Sequence, residues 1–359
     1  MDEPSLQLQQ NLRDSIKRAL ACRRPVLTHL NADTAWLLQL PYPPDANPPK
    51  GRSHFYILID PWLIGPQIDV ASWFSKQWHS TKSKVRTIVE LNECLKEIEN
   101  LAEEQTDKFK EESHGSVLTE SFVDAIIVSH EFTDHCHKDT LLEIHPVTPV
   151  FATKVAANLI RSWDHFKVVH DIPILSEKSP DWTETSLDSL PKWVGLSRIV
   201  TNTNILYFHS AILITFNLGH GVRMENQTKT KTSEAVIYTP HGIHAQDLRH
   251  LPPAEPPFQT LALLHGLHEI TISGLKSLNL GAHNGLQAYR TCKAKYWIST
   301  HDEVKEGQGL IASLLKRKVL TPQEATEHER GQMSDANQPT AMGPMIFADL
   351  RSGESLLLS

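Results

Sequence analysis

The sequence predicts a layered α/β fold, and three features carry that expectation. Short β-branched apolar runs alternate with longer segments whose apolar residues recur every three or four positions, as strands alternate with surface helices. Several of those runs stop abruptly at polar residues rich in histidine. The composition, 40% hydrophobic and 21% charged over 359 residues, suits a soluble globular chain long enough to bury a substantial core.

Taken in order, Leu8, Leu12, Ile16 and Leu20 lie four residues apart and draw one apolar stripe along a helix over residues 5–22, ended by Arg23-Arg24-Pro25. This N-terminal segment, residues 1–25, is expected to pack on the body of the protein; a membrane surface or a partner helix is the alternative. Ala35 to Leu40 and Phe55 to Ile59 read as strands separated by the proline-rich loop 41–50. Asp60 precedes Pro61, where aspartate commonly forms a turn. Trp62, Trp73, Phe74 and Trp78 then crowd one stretch, either as core or as the wall of a substrate pocket.

Val85, Ile88, Leu91, Leu95 and Ile98 predict an amphipathic helix over 81–101, and the charged residues 102–116 read as its frayed end or an exposed loop. Val123 to Val128 is a strand buried on both faces. Pro149 to Ala152 is a short strand and Lys154 to Trp163 a helix, whereas residues 171–204 give no clear element. Ala211–Phe216, Glu234–Thr239, Leu261–Leu264 and Tyr296–Ile298 are strands, with a helix from near Asn284 to Ala294. Beyond them, residues 310–315 read as helical, Thr321-Pro322 as a helix start, 327–344 as a polar loop, and Met345–Ala348 as a final strand.

The chemistry concentrates after the strand ending at Val128. Eight residues there offer imidazoles at His130, His135 and His137, carboxylates at Glu131 and Asp134, and a thiol at Cys136. Neutral imidazole with carboxylate suits zinc, or iron or manganese, better than calcium or magnesium. A total of twenty histidines points the same way. Further candidates follow other strands: His241 after Thr239, His265 and His268 after Leu264, and His301-Asp302 after Ile298. His209 stands just before a strand, and His220 lies between two glycines.

The segment His130-Glu131-Phe132-Thr133-Asp134-His135 resembles the His-x-His-x-Asp-His signature of the metallo-β-lactamase fold superfamily, with Phe132 at its second histidine. The resemblance covers roughly residues 26–305. It implies a four-layer αββα sandwich, two mixed sheets flanked by helices, over residues 26–320, with a helical insertion at about 81–118 and a C-terminal tail from 321 to 359. It also implies metal ligands at His130, Asp134, His135 and His301, a third-motif histidine at His209 or alternatively His220, and His241 where the family carries a bridging aspartate. Asp60 matches the aspartate that braces the metal loop. Because neither phenylalanine nor imidazole bridges two ions, the altered positions imply one ion, zinc first, rather than two.

Function follows as an expectation: metal-assisted hydrolysis of an ester, lactone, amide or phosphodiester in a small-molecule substrate, with Asp134 orienting or deprotonating the attacking water. Asp60, Trp62, Phe132, His137, His265, His268 and Asp302 are expected around the ion or the substrate. The alternative is a non-catalytic member of the same fold that binds a small molecule. A formal charge of −7 and no basic tract argue against nucleic acid. Four widely spaced cysteines, no apolar N-terminal core segment and no apolar run approaching roughly eighteen residues argue for a reducing, cytoplasmic location without a membrane span.

Overall fold

Strand-forming runs that are apolar on both faces need cover on both faces, and the chain supplies it by stacking two sheets and placing helices outside each. The computed structural model describes residues 6–69, 71–106, 121–177, 180–200, 208–219, 233–272, 276–310, 314–335 and 344–359. Its first sheet runs, in spatial order, Ser355–Leu357, Val26–His29, Trp36–Pro41, His54–Ile59, Ala125–Val128, Val150–Ala152 and Val169–Asp171. The second runs Phe347–Ala348, Tyr296–Ile298, Phe258–His265, Ser233–Thr239, Ser210–Phe216 and Val194–Val200. Both are mixed: His54–Ile59 through Val169–Asp171 are parallel, as are Ser233–Thr239 through Phe347–Ala348.

Three apolar layers follow from this stacking. Trp36, Ile57, Ile127 and Phe151 meet Ile212, Ile214, Val236 and Ile298 between the sheets. On the outside of the first sheet, Leu58, Ile126 and Val128 pack with Leu91 and Leu95 of the helix Ile88–Thr106 and Ala156 and Ile160 of Lys154–Arg161. Outside the second, Leu213, Ile237 and Leu263 pack with Ala282 and Leu286 of the helix Gly281–Cys292. The architecture is the expected αββα sandwich. No described helix is long and apolar enough to cross a membrane.

Several boundaries differ from expectation for local reasons. The helix expected from residue 81 begins at Ile88, because Thr87 Oγ1 accepts the Glu90 N–H (3.1 Å) while Glu90 reaches back to the Arg86 N–H (2.7 Å), a cap that outweighs the apolar spacing before it. The helix expected near Asn284 starts at Gly281. Residues 171–204, read as shapeless, contain the strand Val194–Val200, where a Cβ on Gly195 would come within 2.5 Å of Thr215 Oγ1, so glycine permits the strand pairing.

A hairpin, Glu269–Ile272 with Lys276–Leu280, joins Leu315–Lys318 in a small separate sheet; of the helix expected over 310–315, Leu310 and Leu314 are helical, residues 311–313 lie outside the described ones, and Leu315 already belongs to the strand. The polar stretch expected from 327 is helical to Asp335, and the chain goes past Ala348 to a further strand, Ser355–Leu357, paired with Val26–Thr28. His220 and residues 107–116 lie outside the described residues.

The end of the sandwich opposite the strand termini of interest buries His54, and burial pushes its imidazole down to about 4 from 6.5. Between those values the unfolded chain binds the extra proton. Stability is therefore complete above pH 6.5 and declines as the pH falls towards 4. His54→Gln is expected to lose about 2 kcal/mol less than the parent protein between pH 7 and pH 5 in urea unfolding, and an identical decline in both would refute this.

Candidate metal centre

Because the parallel strands of both sheets end at one edge, the loops leaving Ile59, Val128, Thr239, His265 and Ile298 converge there, the usual place for a site in open α/β sheets. Four buried imidazoles meet between them. Ring centroids are 5.3 Å apart for His130 and His135, 4.7 Å for His130 and His241, 4.9 Å for His135 and His241, 5.1 Å for His135 and His301, and 5.0 Å for His241 and His301. One nitrogen from each of His135, His241 and His301 lies within 4.8 Å of the others.

Each of those three rings is aimed by its other nitrogen. His135 Nδ1 donates to Asp60 Oδ2 at 2.7 Å, His241 Nδ1 to Asn279 Oδ1 at 3.0 Å, and His301 Nδ1 to Asp33 Oδ1 at 3.0 Å. An oxygen that can only accept fixes the proton on Nδ1 and leaves Nε2 bare. The Nε2 atoms of His130, His135 and His241 are all buried without a hydrogen-bond partner. Buried imidazole nitrogens without a partner are costly unless a cation takes them, and those of His135 and His241 belong to the mutually close set, so the donors fit a zinc-class ion.

Asp134 adds a carboxylate, with Oδ1 3.6 Å from His135 Nε2 and Oδ2 3.8 Å from His301 Nε2. Burial opposes its charge, but Lys305, His135 and His301 outweigh burial and hold it well below the usual carboxylate range. Burial, reinforced by neighbouring imidazoles, pushes His130 and His241 well down, and burial also lowers His301. For His135 burial pulls downward, yet Asp134 and Asp60 together raise it.

The backbone around the centre is correspondingly constrained. Asp60 and His301 both adopt left-handed conformations, with φ of 43° and 59°. Such geometry is unfavourable for side-chain-bearing residues and persists where surroundings enforce it. Asp60, wholly buried, accepts from Ser129 N (2.7 Å), the Ser129 hydroxyl, His135 Nδ1 and the Tyr238 hydroxyl (2.8 Å). Gly242, with φ of 86°, lets the chain turn directly after His241; a Cβ there would sit 2.9 Å from His265 Nε2 and from Leu280 Cβ.

The other candidates take different places. His209 Nδ1 lies 3.3 Å from the His241 carbonyl, and the ring packs near His244 rather than joining the mutually close ligand atoms. His137 Nδ1 accepts the Thr140 N–H at 3.3 Å and caps the helix Lys138–Leu142. His265 is buried, with its ring nitrogens 2.7 Å from the Gly266 carbonyl and 2.9 Å from Asn284 Oδ1. Asp302 accepts the N–H groups of Leu267 (2.7 Å) and His268 (2.8 Å), and burial pushes its carboxyl up to about 7. His268 Nδ1 meets Arg317 Nη1 at 2.8 Å. Burial raises the Cys136 thiol well above its ordinary value, which removes it as a nucleophile.

Phe132 lies beside the cluster, 6.0 Å from His130 and 6.4 Å from His241 between ring centroids, and stacks on Phe208 at 5.3 Å. Trp62 is fully buried and stacked on His79 at 3.7 Å, so it belongs to the core, whereas Trp73 is 66% exposed. Asp33, Lys305, Asn279 and Tyr238 were not singled out from the sequence. Of these, only Lys305 had a local signal, its place in the polar run following the strand that ends at Ile298.

No protein-family model matches the chain, and no curated protein matches it in sequence. Solved structures do. An isothiocyanate hydrolase from Delia radicum gut bacteria aligns over 93% of this chain and 99% of its own, with a TM-score of 0.51 at 12% identity. A possible metal-dependent hydrolase from Veillonella parvula aligns over 93% and 100%, with a TM-score of 0.47 at 14% identity. The metallo-β-lactamase fold protein YhfI from Bacillus subtilis aligns over 93% and 99%, with a TM-score of 0.42 at 12% identity. At these identities the likeness concerns architecture alone. With its two facing mixed sheets and the helices outside them, the chain has an αββα fold of the metallo-β-lactamase type, the architecture it shares with the isothiocyanate hydrolase.

Proposed function

We propose that the protein is a metal-dependent hydrolase whose single zinc-class ion is held by His135, His241 and His301, with His130 and Asp134 beside them. One observation carries this reading: one nitrogen from each of His135, His241 and His301 lies within 4.8 Å of the others, and the Nε2 atoms of His135 and His241, whose rings are held by Asp60 and Asn279, are buried and unpartnered. Such an ion lowers the pKa of a bound water to about 7 and polarises the bond under attack. Iron and manganese satisfy the same donors and are the alternatives to zinc.

The chain's own groups divide the remaining work. Asp60, Asn279 and Asp33 hold the rings in the tautomer that presents Nε2. Asp134 stays ionised, so its Oδ1 can accept a proton from water or orient it. Phe132 and Phe208 form an apolar wall against which the organic part of a small substrate can lie.

The test joins metal analysis to chemistry. Protein purified after zinc or iron supplementation is expected to retain close to one equivalent, and to hydrolyse at least one member of an ester, lactone, amide, thioester and phosphodiester panel in a chelator-sensitive way. Less than about 0.3 equivalents of any transition metal counts against the reading. A second reading, a small-molecule-binding member without catalysis, rests on Phe132 taking a ligand position; metal-free protein that binds members of that panel without turnover identifies it.

A further inference from the structure

We propose that the ammonium group of Lys305 occupies the place of a second cation, so that the centre accepts one metal ion and excludes another. The proposal rests on the metal-centre reading and concerns the carboxylates of Asp33 and Asp134 next to it. Two groups of ligand-type residues share His301: His135, His241 and His301 form one, and Asp33, Asp134 and His301 the other, each with its donor atoms within 4.8 Å of one another. In the second, Lys305 Nζ lies 2.8 Å from Asp33 Oδ2 and 2.8 Å from Asp134 Oδ2.

Lys305 is held there by more than charge. Its ammonium lies 5.1 Å from the centroid of the Trp62 ring, which is itself stacked on His79, and His79 Nδ1 meets Glu303 Oε2 at 2.5 Å, two residues before Lys305. The side chains of Asp33, Asp134 and Lys305 are all nearly inaccessible to solvent. Two carboxylates buried together need positive charge close by, and a bonded ammonium supplies it permanently, whereas a divalent ion would have to displace it and leave that ammonium buried without a partner. Phe132 closes the opposite flank beside His130 and His241, since an aromatic ring has no lone pair to give. The lysine thus does on one side what the phenylalanine does on the other: it removes a position in which a second ion could be held.

Lys305→Met keeps the length of the side chain and its packing on Trp62 while removing the charge. It leaves Asp33 and Asp134 with two negative charges and no partner other than a ring, a set that a divalent ion satisfies. Parent protein, Lys305→Met and Lys305→Arg are stripped with chelator and titrated with zinc, and bound ions are counted by native mass spectrometry. Lys305→Met is expected to bind one more ion than the parent, and Lys305→Arg none more. An equal count in Lys305→Met and parent overturns the proposal, as does a parent that already binds two. Should Lys305→Met be unfolded without metal, the count is read from zinc-driven refolding, which is expected to saturate one equivalent above the parent's binding; saturation at the parent's value, or no refolding, overturns it equally. A parent that binds no zinc refutes the His135, His241 and His301 centre, while the difference between variant and parent still judges Lys305.

Discussion

His301→Ala is expected to strip the protein of its metal, lowering zinc affinity by more than about 100-fold and abolishing any chelator-sensitive hydrolysis with it. The size of the effect follows from the number of tasks that ring performs. Its Nε2 is one of the three mutually close nitrogens, its Nδ1 is tied to Asp33, and it stands between the imidazole group and the Asp33–Asp134–Lys305 group. Alanine removes a ligand and the hydrogen-bond donor to Asp33 together. His209→Ala is the informative contrast, because His209 reaches the carbonyl of His241 and is not among the mutually close ligand atoms. It is expected to keep its zinc within about a factor of ten of the parent. Equilibrium competition with a chromophoric chelator measures both; retention by His301→Ala, or loss by His209→Ala comparable to that of His301→Ala, would exchange their roles.

Asp60→Ala is expected to cost about 3–5 kcal/mol of stability, the largest loss we expect from any single replacement outside the apolar core. The carboxylate is fully buried and gathers four donors, from the Ser129 backbone and hydroxyl, His135 and Tyr238. Truncation leaves the Ser129 N–H and hydroxyl without this acceptor and His135 Nδ1 with only the Ser129 oxygen at 3.5 Å, while the Tyr238 hydroxyl keeps the Thr34 carbonyl at 3.2 Å. It also frees the His135 ring to turn, so metal affinity is expected to fall about 10- to 100-fold even though Asp60 touches no metal. Asp60→Asn keeps the volume but points an amide N–H at groups that are themselves donors, so only part of the loss is recovered. Urea unfolding of the metal-free forms isolates the stability effect from the binding effect. A shift below about 1 kcal/mol for Asp60→Ala would show that water or a neighbouring oxygen takes over the orphaned donors.

The candidate site was legible from the sequence wherever a ligand-type residue directly follows a buried strand. His130, Asp134, His135, His241 and His301 all have that placement, and the period-two and all-apolar patterns that reveal the strands also indicate where each strand stops. Asp33 escaped because it lies in the turn between Val26–His29 and Trp36–Pro41 rather than in a loop leaving a parallel strand, and Lys305 because an ammonium is not a metal-ligand type. Their importance arises from meeting Asp134 in space, across 101 and 171 residues of chain respectively, and no local pattern encodes such a meeting. His209 was misleading for the converse reason. A histidine just before a strong strand has the order of a ligand, and the antiparallel pairing of Ser210–Phe216 with Ser233–Thr239 does bring it to the same edge, but the ring ends beside the His241 backbone.

By itself the sequence determined a layered α/β class, most of its strands and the donor types near their ends, because hydrophobic periodicity and donor type are local properties; the αββα arrangement was implied by the resemblance carried by His130, Asp134 and His135. Only the tertiary structure decided which imidazoles face one another, that Asp60, Asn279 and Asp33 each fix a tautomer, and that Lys305 rather than open space lies between Asp33 and Asp134. The physical reason is range. Backbone preference acts over a few residues, whereas the balance of buried charge is struck among groups brought together by the stacking of two sheets.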